Sequence, residues 1–144
     1  MPPVTPESLI AATTVIELNS AHRDDVIRQL VSATHCHEYG VTDEELFVAI
    51  EEREATAQTI VADDLAIPHA SVDWDGDFRV IVGRSRGGVE YGVSGTVVRL
   101  VILLVTGMNE SSRHLKILST LAEFLREPEF VESLIHAGNS QAPP

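Results

Sequence analysis

The sequence VVRLVILLV, residues 97–105, is apolar at every position except Arg99. A strand with one face in water alternates apolar and polar residues, whereas a strand covered on both faces is nearly continuously apolar. We therefore predict that residues 97–105 form the central strand of a sheet, with other elements packed on both of its faces.

Further strands are predicted on either side of this run. β-Branched and aliphatic residues predict strands at 13–18 and 78–82, and the segment that ends at Ile67 is also predicted to be extended. The Gly87-Gly88 pair and Gly92 are predicted to break the chain between the strand at 78–82 and the central strand.

Helices are predicted from apolar residues that recur every three or four positions. The first runs from Ser20 to a C-cap at Gly40. Thr42 and Glu45 form a capping-box signature that begins a second helix at 43–55. A third helix follows Gly107, and Pro128 opens a last one. The apolar stripes of these last two helices comprise Leu115, Leu118, Leu121, Ala122 and Leu125, and Phe130, Val131, Leu134 and Ile135.

The order of these elements is strand, two helices, three or more strands and two helices. This order favours an α/β fold in which helices flank a mixed sheet on both faces, a three-layer α/β/α sandwich. Proline and polar residues predict an N-terminal leader at 1–12 and a disordered tail at 138–144. A chain of 144 residues can bury one sizeable core, so we predict a single domain at 13–137.

The charge and composition exclude several classes of partner. A formal net charge of −12 argues against nucleic acid and anionic lipid, whereas a basic protein partner is easier to accommodate. The single cysteine, Cys36, is typical of a reducing compartment. No apolar run approaches the length of a membrane helix, about 18 residues or more, and the first residues lack the pattern of a signal peptide. We therefore expect a cytoplasmic protein without direct membrane insertion and without a cofactor.

One histidine stands at the end of an apolar run, in the sequence LAIPHA, residues 65–70. Pro68 fixes its own φ and biases Ile67 toward an extended conformation. His69 is therefore predicted to lie on a braced turn where a strand leaves the core. Such a position suits a ring nitrogen that must meet the reactive group of another protein.

Together with Arg53-Glu54-Ala55, Thr59 and His114-Leu115, this run resembles the type 2 EIIA domain of the bacterial phosphoenolpyruvate-dependent phosphotransferase system. The resemblance is to the fructose, mannitol and nitrogen-related branch and covers residues 15–137. It implies a phosphohistidine carrier that accepts phosphate from the phosphocarrier protein for sugar uptake or regulation. The acceptor it implies is a sugar-permease domain or a regulated transporter.

The resemblance also implies a role for each site residue. His69 is the phosphoacceptor, Arg53 pairs with the phosphoryl oxygens, Thr59 donates a hydroxyl hydrogen bond, and His114 orients or stabilises the first histidine. The residues alone leave other interpretations open: His69 could be a turn residue and His114 an exposed helix residue. Arg53, which lies among Glu51, Glu52 and Glu54, could be one half of a solvated i, i+3 or i, i+4 ion pair on its acidic helix.

The chain departs from the family pattern just before the histidine. The family has glycines between the positions of Thr59 and Ile67, and glycines let a backbone approach a phosphoryl group. This chain has IVADD at residues 60–64, and Asp63 and Asp64 would repel a phosphate if they faced it. An alternative function is therefore a non-catalytic regulatory module of the same fold, attached to or acting on a transporter.

A second cluster, His35-Cys36-His37, has the residue types of a metal site. If these residues lie on a helix, His35 and His37 point to different sides, and no second ligand pair has the spacing of a zinc site. We therefore predict no metal. We interpret His22, His35 and His37 as residues of the first helix, with His35 and His37 near its C-terminus, where the helix dipole favours positive charge.

Overall fold

The computed structural model describes residues 13–56, 60–62, 64–74, 78–91, 95–108, 111–129 and 132, with the backbone alone at 56, 60–62 and 111–114. The predicted leader at 1–12 and tail at 138–144 lie outside these ranges. In chain order the elements are β1 Thr13–Glu17, α1 Arg23–Thr34, a 3₁₀ helix Cys36–Tyr39, α2 Asp43–Thr56, β2 Ile60–Ala62, β3 Asp64–Ala66, β4 His69–Val72, β5 Arg79–Glu90, β6 Val97–Gly107 and α3 Ser111–Leu125.

The described strands form one mixed sheet with the order β1-β5-β6-β3-β2. β1 is parallel to β5, β5 is antiparallel to β6, and β2 is antiparallel to β3. β3 and β4 both run parallel to β6, and because β5 occupies the other side of β6, they follow one another along the same side. Between them, the carbonyl of Pro68 accepts a hydrogen bond from the Leu104 N–H at 3.0 Å. β3 and β4 therefore resemble one strand interrupted at the proline.

Both faces of β6 are buried, which confirms the predicted mixed sheet with helices on both faces. Val101, Leu103 and Val105 belong to a core cluster that also contains buried residues of α1 and α2. Leu100, Ile102 and Leu104 point the other way and pack with Ile117 and Leu121 of α3. The alternation of strand side chains thus divides one apolar run between two cores.

The first helix ends earlier than its sequence predicts. α1 stops at Thr34, His35 has left-handed backbone at φ 54, and Gly40, at φ 85, ends the 3₁₀ helix. The side chain of buried Thr34 gives a local reason: its Oγ1 donates to the Val31 carbonyl at 2.6 Å and accepts the Cys36 N–H at 3.2 Å. These hydrogen bonds compete with a continued helix, so the prediction of one helix up to Gly40 is wrong.

The second helix begins at its predicted capping box. The Thr42 N–H donates to Glu45 Oε1 at 2.9 Å, and the Glu45 N–H donates to Thr42 Oγ1 at 3.1 Å. Two amides that the first helical turn would leave without a partner are satisfied in this way. α2 then runs to Thr56, one residue beyond the predicted end.

The glycine pair does not break the chain as predicted, because β5 continues through it to Glu90. The register against β6 shifts between Arg84 and Val89. Gly88, at φ 90, donates its N–H to Ser85 Oγ at 3.0 Å. The glycines therefore create a bulge, which lets a strand bend without ending.

Two other predictions lie wholly or mostly beyond the described residues. Gly92 is outside them, and of the predicted last helix only Pro128, Glu129 and Glu132 are described as helical. In the described part of the chain, no helix combines the length and the apolar character needed to cross a bilayer.

Candidate functional site

His69 is the first residue of β4 and lies opposite Leu104 of β6, half-buried. Its neighbours Ala70 and Val72 are buried in the core on the side of α1 and α2. Because strand side chains alternate, His69 and Ser71 lie on the opposite face of the sheet. The histidine is thus held by the pairing of β4 with β6, while part of its ring remains accessible.

Two hydrogen bonds define which nitrogen of the His69 ring carries a proton. Nδ1 lies 3.0 Å from the Ile67 carbonyl oxygen, and Nε2 lies 3.0 Å from Nε of Arg53. A carbonyl can only accept and an arginine N–H can only donate, so the proton must be on Nδ1 and the lone pair on Nε2. The lone pair is the nucleophilic site of an imidazole, and here it points to the arginine.

Arg53 is exposed on the last turn of α2, where acidic residues surround it in sequence. Glu51 and Glu54, however, both bind Arg23, whose Nη2 lies 2.6 Å from Glu51 Oε2 and 3.0 Å from Glu54 Oε1. Burial by itself lowers the pKa of Arg23, but the hydrogen bonds to these two carboxylates outweigh burial and raise that pKa. The structure therefore brings Arg53 to His69, 16 residues away in the sequence.

His114 lies in the first turn of α3, where the structure describes the backbone alone. α3 begins four residues after β6 ends at Gly107, and Gly107 pairs with Val72 at the end of β4. Gly107 lies three residues beyond Leu104, the partner of His69, so α3 begins past the His69 end of β6, and Ile117 places α3 on the face of the sheet to which His69 belongs. The role of the His114 side chain stays a prediction, and Thr59 lies outside the described residues.

Asp64 binds an arginine at a distance from the histidine. Its carboxylate pairs with Nη2 of Arg99 at 2.9 Å, which raises the pKa of Arg99, and the same nitrogen is 3.3 Å from Glu132. Asp64 aligns with Val98 of β6, whereas His69 aligns with Leu104. Five residues of extended chain separate Asp64 from His69 and span about 17 Å, so this carboxylate is remote from the His69 ring. Asp63 lies outside the described residues.

The structure also shows a pair of hydroxyl groups near His69 that the sequence did not predict. Ser71 Oγ lies 3.2 Å from Thr106 Oγ1, its partner on β6. Ser71 is exposed and stands two residues after His69 on the same face, at a separation of about 7 Å along the strand. The alternation of β4 could have indicated Ser71, but its pairing with Thr106 depends on strand register.

The cluster His35-Cys36-His37 was predicted to lie on the first helix. This is wrong, because α1 ends at Thr34 and the cluster follows it. Cys36 is buried in the 3₁₀ helix, and its Sγ donates to Asp43 Oδ1 at 3.3 Å. Burial is the main reason that the pKa of Cys36 is raised. His35 and His37 are exposed, with ring centroids 6.1 Å apart. Among the described side chains, no group of three or more His, Cys, Asp or Glu residues could hold a metal ion.

Solved structures share this architecture. The nitrogen regulatory protein IIA-Ntr from Neisseria meningitidis has a TM-score of 0.75 at 21% identity, covering 88% of this chain and 86% of that one. A complex of enzyme IIAMtl and phosphorylated enzyme IIBMtl from Escherichia coli gives a TM-score of 0.71 at 22% identity, covering 96% and 92%. At these identities the likeness establishes a common fold.

Sequence relatives identify the family. The fructose-specific EIIABC component of the phosphotransferase system from Bacillus subtilis is 28% identical over 139 residues, which are 94% of this chain and 22% of that protein. The chain spans only about a tenth to a fifth of the length of the curated relatives that it matches. The sequence model of one protein family, the phosphoenolpyruvate-dependent sugar phosphotransferase system, EIIA 2, matches residues 9–142 of this chain. This chain therefore belongs to the EIIA type 2 family of the sugar phosphotransferase system, a family of phosphoryl carriers.

Proposed function

We propose that this chain carries a phosphoryl group on Nε2 of His69. The observation that supports the proposal is the pair of hydrogen bonds on the His69 ring. They hold the lone pair on Nε2 beside the Arg53 guanidinium and the proton on Nδ1. An uncharged imidazole nitrogen with a fixed direction is the nucleophile that phosphoryl relay between proteins requires.

The transfer needs no proton to leave Nε2. The Nε2 lone pair attacks phosphorus, the bond between phosphorus and the donor atom breaks, and the donor atom keeps that electron pair. The His69 ring then becomes more positive, and the Ile67 carbonyl stabilises it through the Nδ1 proton. The Arg53 guanidinium turns from Nε2 to the phosphoryl oxygens, for which its planar fork of donors is suited. Positioning and charge stabilisation supply most of the catalysis in phosphoryl transfer.

We assign the two remaining site residues by family resemblance. His114 stabilises the phosphorylated ring from the first turn of α3, where the helix N-terminus also favours an anion. Thr59 donates its hydroxyl to a phosphoryl oxygen. The described backbone supports the assignment of His114, because α3 begins near the His69 end of the sheet.

The proposed donor is the phosphocarrier protein, and the proposed acceptor is a sugar-permease domain or a regulated transporter. The solved complex with a phosphorylated IIB protein and the EIIABC organisation of the Bacillus subtilis relative support an acceptor of the EIIB kind. The likeness to a nitrogen regulatory protein supports a regulatory target. In either case the relay takes place in the cytoplasm, where we place this chain.

The first prediction is that His69→Ala abolishes phosphorylation. Incubation with phosphoenolpyruvate, enzyme I and the phosphocarrier protein, followed by intact-mass measurement, should show one acid-labile phosphoryl group on the wild type and none on His69→Ala. The matched control is His37→Ala, which removes an exposed histidine outside the site and should be labelled like the wild type. Equal labelling of the wild type and His69→Ala would reject this assignment.

A second candidate function is the non-catalytic regulatory module. It is favoured by the IVADD sequence, because residues 60–62 and 64–66 form an antiparallel strand pair in place of a glycine-rich loop. A wild-type protein that never takes phosphate, yet binds a transporter domain in a pull-down, would favour this module over the carrier.

A further inference from the structure

Glu54 follows Arg53 directly, and nothing in the proposed phosphoryl transfer uses it. Its side chain is only 10% exposed, although it carries a carboxylate. The hydroxyl of Tyr91, a residue that is 1% exposed, donates a hydrogen bond to Glu54 Oε1. Arg23 Nη2 binds the same oxygen at 3.0 Å. A buried carboxylate is costly unless its charge and lone pairs are satisfied in this way.

These residues join three elements that are distant in the sequence. Arg23 is the first residue of α1, Glu54 lies in the last turn of α2, and Tyr91 follows the end of β5. Arg23 also lies over the Tyr91 ring, with its Cζ 5.3 Å from the ring centroid. Its two terminal nitrogens bind Glu51, one turn before Glu54, at 3.0 and 2.6 Å. We call Arg23, Glu51, Glu54 and Tyr91 the α2 clamp.

The α2 clamp holds one side of the helix end. Glu51 and Glu54 are three residues apart and share a face, whereas Arg53 is rotated from Glu54 by about 100°. With Glu51 and Glu54 bound to α1 and Tyr91, the helix cannot turn about its axis without breaking charged hydrogen bonds. The Arg53 side chain is thereby directed to the sheet edge, where its Nε meets His69 Nε2.

We propose that Glu54, held by Tyr91 and Arg23, is a positioning residue that places the Arg53 guanidinium on the His69 ring. This inference rests on the proposed function for its biological meaning, but the position of Arg53 can be measured without any phosphoryl donor. An arginine side chain loses considerable conformational freedom when it is held in one geometry. A clamp on its backbone lowers the cost of reaching that geometry and keeps the donor aligned with the reacting atom.

The test compares two variants of the clamp with a matched control. Glu54→Gln removes the charge but keeps the shape, and Tyr91→Phe removes only the hydroxyl. Glu52→Gln makes the same change of charge at an exposed neighbour on the other side of Arg53. A charge effect on Arg53 would appear in both glutamine variants, whereas loss of the clamp would appear only in the first.

The readout is NMR of the ¹⁵N-labelled full chain. In the wild type, the Arg53 Nε–H should exchange slowly with water, and the His69 ring should show one tautomer, protonated on Nδ1. In Glu54→Gln and Tyr91→Phe, a hydrogen bond to the Glu54 carboxylate is weakened or lost, so the α2 clamp loosens and we expect the Arg53 Nε–H to exchange about tenfold faster or more. The His69 ring nitrogens should shift toward a mixture of tautomers, while Glu52→Gln should match the wild type.

Unchanged Arg53 exchange and His69 shifts in both clamp variants would overturn the proposal, and so would an equal change in Glu52→Gln. Phosphorylation is then measured on the same proteins. If the wild type takes phosphate, the clamp variants should be phosphorylated about tenfold more slowly. If the wild type takes none, the proposed function fails, while the NMR comparison still decides whether Glu54 positions Arg53.

Discussion

At the scale of single residues, Pro68 and Arg53 together define the reactive direction of His69. Pro68 has no N–H to donate to β6, although its carbonyl accepts from Leu104, and the Ile67 carbonyl before it accepts from the Nδ1 proton of His69. Arg53 then approaches the other ring nitrogen. Neither contact requires an unusual backbone at His69, whereas Asp64 has left-handed backbone at φ 67.

The structure predicts that Asp64→Gly has little effect on phosphorylation. Asp64 pairs with Arg99, which offsets its charge, and it lies about 17 Å along the strands from His69, beyond the screening length of about 10 Å at 0.1 M salt. The rate of phosphorylation should stay within about twofold of wild type at low and at high ionic strength. A rate that rises at low salt and falls back at high salt would contradict this geometry.

The same variant should leave stability nearly unchanged. Loss of the Arg99 pair costs about 0–1 kcal/mol, because both side chains are partly exposed. Glycine at a left-handed position recovers about 1 kcal/mol. Asp64→Asn is the control, because it removes the charge but keeps a residue that tolerates left-handed backbone. Urea denaturation measures both variants.

At the scale of elements, α2 carries the arginine of the site on its last turn and a capping box on its first. The capping box fixes where the helix begins, and the α2 clamp fixes its rotation where it ends. A helix held at both ends presents Arg53 at a defined position relative to β4, so the local sequence around Thr42 contributes indirectly to the geometry at His69.

Thr42→Ala removes the hydroxyl that accepts the Glu45 N–H, and we expect the free energy of unfolding to fall by about 1 kcal/mol. Ser32→Ala is the control, since Ser32 is an exposed residue inside α1. Chemical denaturation at neutral pH measures both. If Ser32→Ala lost as much stability as Thr42→Ala, the loss in Thr42→Ala would not be specific to the capping hydroxyl, and the prediction would fail.

The other half of the capping box depends on pH. The hydrogen bond from the Thr42 N–H is the main reason that the pKa of Glu45 is lowered from its ordinary value of 4.5. Because the pKa is lower in the folded state, the stabilisation is present above pH 4.5 and is lost as the pH falls through the folded-state pKa. The difference in stability between wild type and Glu45→Ala should therefore shrink on acidification.

At the scale of the whole molecule, β6 contributes to both cores and also positions the strand that carries His69 and the helix that carries His114. Its alternate residues pack against α1 and α2 on one face and α3 on the other. Its register with β4 places His69 opposite Leu104, and its end at Gly107 leads into the helix that carries His114. The stability of the fold and the placement of the candidate site thus rest on the same strand.

Ile102→Ala and Leu103→Ala test the two cores separately. Ile102 is 1% exposed on the α3 face and Leu103 is fully buried on the α1 and α2 face, so each substitution should cost about 2–5 kcal/mol. Val97→Ala, at a position in β6 that is 49% exposed, is the control and should cost about 1 kcal/mol or less. A small loss for either core variant would mean that its face is not covered as described.

Periodicity and short-range signals were sufficient for much of this molecule. The apolar run at 97–105 predicts a strand buried on both faces, and the Thr42 and Glu45 pair predicts a helix start, because each signal depends on residues within a few positions of one another. The proline before His69 predicts a braced turn, which is wrong, because His69 begins β4 and is held by pairing with β6. The resemblance added the roles of Arg53 and His114, which spacing alone left open.

Contacts between residues that are far apart in the sequence were decided only by the packing of the helices on the sheet. The Arg53 Nε to His69 Nε2 contact spans 16 residues, and the hydrogen bond from Tyr91 to Glu54 spans 37. No local pattern specifies such pairs, because they form only when α2 is packed against the sheet with a particular rotation. The bulge at Gly88 and the end of α1 at Thr34 were also missed, since each requires a specific hydrogen bond to outweigh the periodic pattern around it.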